Sequence, residues 1–150
     1  MKTARFVTLL LSVWCLQPAS GQVIINELVA SNSMLVDEPD FGSSSDVVEL
    51  FNADSSDIDL SGWHLTDNFN DTTKWTFPEG VIIGAGEFLL VWCDGENTEA
   101  SQLHSSFKLS GIGEELAVYD ADGQWVDGVV FPSQVTDISY GPVSYTHLRA

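Results

Sequence analysis

After its first twenty residues, this chain is a succession of short apolar runs broken by glycine- and aspartate-containing turns, and that spacing leaves little room for anything but sheet. The runs are Val23–Leu28, Val47–Phe51, Trp63–Leu65, Lys74–Phe77, Val81–Ile83, Glu87–Trp92, Glu115–Tyr119, Gln124–Phe131 and Ile138–Tyr140. They are rich in Val, Ile, Phe, Trp and Tyr, whose branched and aromatic side chains suit a pleated surface. Between them stand Pro78-Glu79-Gly80, Gly84-Ala85-Gly86, Asp94-Gly95, Gly111-Ile112-Gly113 and Asp122-Gly123, the last reading as a tight hairpin turn. No window of ten or more residues after Gly21 repeats its apolar positions with a helical period. The expectation is an all-β sandwich of about eight or nine short strands, with Ser31–Asp46 and Asp67–Thr73 as long polar loops.

The start of the chain has a different character. Lys2 and Arg5 precede the apolar run Phe6–Leu16, followed by Gln17-Pro18 and the small residues Ala19-Ser20-Gly21. This is the layout of a secretory signal peptide over residues 1–21, with cleavage expected between Gly21 and Gln22. The apolar run is too short to span a bilayer, so no membrane span is expected once it is removed. The expected location is outside the cell or at its surface.

Export changes the charge balance. All 22 acidic residues lie between Glu27 and Asp137, against only Lys74 and Lys108 in the body, a formal −20 for residues 22–142. Such a body repels phosphates and anionic lipid, so nucleic acid is not an expected partner. Export also removes Cys15, which leaves Cys93 without an intramolecular partner inside an apolar strand, as a buried inert thiol. The hydrophobic core must then hold the domain together.

Several segments in order carry a resemblance: Ile25-Asn26-Glu27, Ala30-Ser31-Asn32, Asp46-Val47-Val48-Glu49-Leu50-Phe51-Asn52, Asp59-Leu60-Ser61-Gly62-Trp63-His64-Leu65-Thr66-Asp67, Lys74-Trp75-Thr76-Phe77-Pro78, Ile82–Trp92 and Gly113–Asp120. Together they resemble the lamin tail domain family in its bacterial exported form, over about Val23 to Gly141. The resemblance implies an immunoglobulin-like β-sandwich and a protein-interaction role, without catalytic residues. In exported bacterial proteins such domains accompany surface, adhesive or hydrolytic domains. The expected function is a non-catalytic interaction or attachment module whose partner is a protein or a cell-surface component. The alternatives are an accessory domain of a truncated secreted hydrolase or nuclease, and a calcium-stabilised adhesion or carbohydrate-binding module.

The expected core is Trp63, Trp75, Phe77, Phe88, Leu90 and Trp92, and Glu49 within an apolar strand needs a hydrogen-bonding partner. No cofactor is expected apart from calcium, which takes six to eight oxygen ligands often supplied by one loop. Asp67, Asn68, Asn70 and Asp71 (DNFND) place side-chain oxygens at nearly alternate positions and are the first candidates. Further oxygen-rich groups are Asp37-Glu38-Asp40, Asp54-Asp57-Asp59 and Asp94-Glu96-Glu99. The plainer reading of all four groups is a solvated acidic surface. Cys93 with His104 has no marked third member for nucleophilic catalysis. Cys93, His64 and His104 lack zinc-ligand spacing. Trp125, beside the hairpin turn, is the aromatic most exposed for carbohydrate contact.

Residues 143–150 (VSYTHLRA) lack both the acidity and the alternation of the body. They read as the translation of a sequencing adapter, so the domain is expected to end near Pro142 and the natural protein to continue beyond it.

Overall fold

The computed structural model describes residues 23–98 and 100–141. The expected signal peptide, its Gly21–Gln22 cleavage point and the adapter-like tail lie outside the described residues. Among the described residues ten strands run in chain order: β1 Val23–Val29, β2 Asp46–Asn52, β3 Ile58–Asp59, β4 His64–Thr66, β5 Trp75–Thr76, β6 Ile82–Ile83, β7 Phe88–Cys93, β8 Leu103–His104, β9 Gly113–Tyr119 and β10 Trp125–Pro132. One four-stranded sheet has the order β1-β2-β7-β8, a second the order β10-β9-β4-β5, and β3 pairs with β6 alone. Every pairing is antiparallel except β7 with β8. Among the described residues no helix is long and apolar enough to cross a membrane.

Alternation along the strands makes the core. Val48 and Leu50 of β2 and Val91 and Cys93 of β7 face Leu65 of β4 and Leu116 and Val118 of β9, with Trp75, Phe77 and Phe131 filling the space between. The first sheet buries apolar side chains on both sides, and its outer face also carries the buried pair Glu27 and Glu49. Its outer face carries Val29, Val47 and Trp92 in direct register, covered by Leu35 and Val36 of the 31–45 loop, with Leu90 alongside. The expected core therefore divides. Trp75 and Phe77 are in it, and Trp63 is half-buried against it. Trp92 is fully buried on the opposite face. Leu90 and Phe88 are only half-buried there, the latter stacked on Phe51 at 4.7 Å. The run FLLVWC is apolar at every position, so alternation within β7 does not say which set of three points inward.

The strand count also exceeds the expectation. β3 and β8 are two-residue pairings inside polar stretches. Ile138–Tyr140 is not a strand: Asp137, at φ 60°, turns the chain, and only Tyr140 pairs with the β1 edge, exchanging two 2.8 Å bonds with Leu28. Trp125 is half-exposed, as expected of the hairpin, but its ring meets Phe69 and Tyr119 edge-on. It also lies across Gly128, where a Cβ would come within 2.4 Å of the indole.

Candidate functional site

The feature that concentrates chemistry is a buried histidine at the end of the sandwich where β2 begins and β7 finishes. β8 runs parallel to β7 and sets His104 beside Trp92, with the Ser105 N–H donating to the Trp92 carbonyl at 2.8 Å. Asp94 is the residue after β7. The 31–45 loop supplies the other two acids.

That loop is shaped by its own polar side chains. Asn32 closes its base: its Nδ2 donates to the carbonyls of Val36 (2.5 Å) and Ser45 (2.8 Å), and its Oδ1 accepts from the Leu35 and Val36 amides. Glu38 closes its tip. The carboxylate is fully buried and accepts the Asp40 and Phe41 amides, both at 2.6 Å, one on each oxygen. The Glu38 backbone in turn bonds to Ser43 and Gly42, the latter glycine at φ 65°.

Around His104 three carboxylates converge. Nδ1 lies 2.6 Å from Asp94 Oδ2, and Nε2 lies 3.2 Å from Asp40 Oδ2 and 3.7 Å from Glu38 Oε1. Asp40 also accepts the Ser101 hydroxyl on Oδ1 and the Gln102 amide (2.8 Å) on Oδ2. The Phe41 ring sits 5.0 Å from the imidazole. Burial pulls the His104 pKa down, but the hydrogen bonds to Asp94 and Asp40 and the charges of Asp94 and Glu38 outweigh it and hold it above the ordinary histidine value. The Ser101 hydroxyl, foremost, holds Asp40 below the usual carboxylate range against the opposing effect of burial. A cleft of about 420 Å³ adjoins the imidazole, lined by Trp75, Asn97, Ser101, Gln102 and Leu103 among others.

The DNFND loop is organised differently. Asp67 is buried and ion-paired to Lys74. Asn68 Oδ1 accepts the Asn70 amide at 2.9 Å, and the Thr66 hydroxyl accepts the Asn68 amide and reaches the Asp71 carbonyl at 2.7 Å. Asn68, Asn70 and Asp71 are exposed. The oxygens of Asp67 and Asn68 thus serve protein donors. The acids of two other sequence groups, Glu38 and Asp40 from one and Asp94 from another, come together instead at His104. No spacing announced that meeting, because the groups lie more than fifty residues apart. The one legible signal was the pair of acids in a loop long enough to fold back.

Cys93 points into the core, where burial pushes its thiol pKa well up and suppresses the thiolate that a nucleophile needs. His104 turns both ring nitrogens to carboxylates, and His64 lies elsewhere, against Thr76 at 3.0 Å. Glu49 Oε1 accepts the Asn26 side-chain Nδ2–H at 2.6 Å, which supplies the partner its strand position requires.

No curated protein matches this sequence. The family comparison is positive over most of the chain: residues 17–133 match the Lamin Tail Domain. With its two facing sheets and its loops gathered at the strand ends, this chain belongs to the lamin tail domain family of immunoglobulin-like interaction modules.

Proposed function

We propose that the chain is a non-catalytic attachment module, exported by its first 21 residues and part of a larger protein, that docks a protein or cell-surface component through the loop end of the sandwich. The observation that carries this reading is a set of large apolar side chains left in solvent on that end. Met34 is 83% exposed, Ile112 85%, Val135 68% and Ile138 58%. They stand on three loops held together by hydrogen bonds. Asp137 accepts the Ser33 (2.6 Å) and Met34 (2.9 Å) amides and donates its own amide to Ser31, while Gln134 N–H donates to the Gly111 carbonyl and the Ser133 hydroxyl to that of Ile112. Apolar groups gathered on a fixed surface and surrounded by charge mark contact sites on soluble proteins. The acidic body argues against nucleic acid and anionic membrane as the surface being met.

The test is retention of the labelled chain on the surface fraction of its source cells, compared with a Met34→Glu, Ile112→Glu double variant. Both positions are exposed, so the variant is expected to melt with the parent. Retention is expected to fall by roughly tenfold or more, as when central contact residues are lost. Equal retention of the two proteins, or none for the parent, contradicts the proposal.

A further inference from the structure

We propose that Glu38, Asp40 and His104 form a binding site for a divalent transition-metal ion of the zinc type, with Asp94 orienting the imidazole from behind. The proposal stands apart from the docking surface and does not depend on it.

The geometry begins with Asp94. A carboxylate 2.6 Å from Nδ1 holds the ring from that side, and this turns the Nε2 edge toward Asp40 Oδ2 and Glu38 Oε1. An imidazole nitrogen and two carboxylates meeting in a largely buried pocket call for a cation between them. The imidazole and Glu38 side chains are fully buried, and Asp40 retains only a narrow opening to solvent. A proton on Nε2 supplies one such cation but leaves three carboxylates around a single positive charge. A divalent ion in that place leaves a single net negative charge where the proton leaves two.

The spacing fits a small ion. Tetrahedral zinc at about 2.0–2.2 Å from nitrogen and oxygen ligands sets those ligands about 3.3–3.5 Å apart. The observed separations from Nε2 are 3.2 and 3.7 Å, and the three ligand atoms all lie within 4.8 Å of one another. Both acids are held in place by backbone donors, Glu38 by Asp40 and Phe41, and Asp40 by Gln102, and each ligating oxygen keeps a second lone pair. A carboxylate on the far nitrogen of a ligating histidine is the usual outer support of a metal site. The donor set also selects the ion. One imidazole with two carboxylates suits zinc, cobalt or manganese, whereas calcium asks for six or more oxygens. Bound here, the ion fastens the 31–45 loop to the ends of β7 and β8.

The experiment uses the whole exported chain, stripped with a chelator and titrated with Zn²⁺ alone and with Co²⁺ alone at fixed ionic strength. One equivalent is expected to bind, the cobalt form is expected to show the visible bands of a tetrahedral site, and millimolar Ca²⁺ is expected not to displace it. Asp40→Asn, which removes a ligand at the most accessible position, is expected to weaken zinc at least tenfold. Asp94→Asn is expected to weaken it by about 10–100-fold and to shift the cobalt bands, as for loss of outer-shell support. Asp71→Asn, on the exposed acidic surface, is expected to change nothing. Uptake spread over several weak sites, or equal in the parent and Asp40→Asn, overturns the proposal even if a variant folds poorly, because the parent alone must bind one equivalent. Unchanged cobalt bands in Asp94→Asn overturn the orienting role.

Discussion

Replacing Asn52 with Asp is expected to be among the most damaging single changes in the fold. The side chain is fully buried at the end of β2, where Nδ2 donates to the carbonyls of Ser56 (2.8 Å), Ile83 (2.9 Å) and Gly84 (3.1 Å), and Oδ1 accepts the Asp54 amide at 2.9 Å. Its backbone exchanges two further 3.0 Å bonds with Gly86 and Glu87. One amide group thus holds the 53–57 turn and the β6–β7 connection against β2. Aspartate has the same shape but no N–H, and it points a carboxylate at three carbonyl oxygens. Each buried polar group left unsatisfied costs about 1–3 kcal/mol, so a loss of about 3–5 kcal/mol is expected. For a domain of this size that is a fall of roughly 10 °C or more in melting temperature. Thermal unfolding of Asn52→Asp beside Asn52→Ala checks it. Melting within a degree or two of the parent contradicts the role assigned to this side chain.

The second large effect separates the two faces of the first sheet. Phe77 is 1% exposed and meets Trp75 in a T-shaped pair at 4.7 Å, between the sheets. Phe77→Ala leaves a cavity with walls on all sides and is expected to cost about 3–5 kcal/mol. Phe88 has the same side chain but is half-buried on the outer face against Phe51. Its loss removes one stacking partner and opens no enclosed cavity, so Phe88→Ala is expected to cost about 1 kcal/mol. Denaturant titration of both variants measures the ratio. Equal losses, or the reverse order, contradict the face assignment in β7.

The strands with strong alternation and turn punctuation were legible from the residues alone. β1, β2, β7, β9 and β10 appear within a residue or two of their expected limits, because branched and aromatic runs bounded by glycine leave few choices. What could not be read was anything set by pairing rather than by composition. β3 and β8 exist because a neighbour offers an edge. The inward face of β7 is decided by the loop that covers Trp92, which an all-apolar run cannot announce. The site failed to show for the same reason. Oxygen-rich DNFND looked like a ligand loop, yet Lys74 neutralises Asp67 and a turn takes up Asn68. His104 looked isolated, yet β8 delivers it to Asp94 ten residues back and to Glu38 and Asp40 of a distant loop.

The polar knot around His104 makes the 31–45 loop a fixed part of the sandwich end and not a loose connection. Amide hydrogen exchange tests it most directly. The Asp40, Phe41 and Gln102 amides, which donate to Glu38 and Asp40, are expected to be protected in the parent. In His104→Ala they are expected to exchange at least about tenfold faster, while the Val48 and Val91 amides between β2 and β7 stay slow. Unprotected Asp40 and Phe41 amides in the parent, or rates in the loop that ignore the loss of His104, would contradict the account.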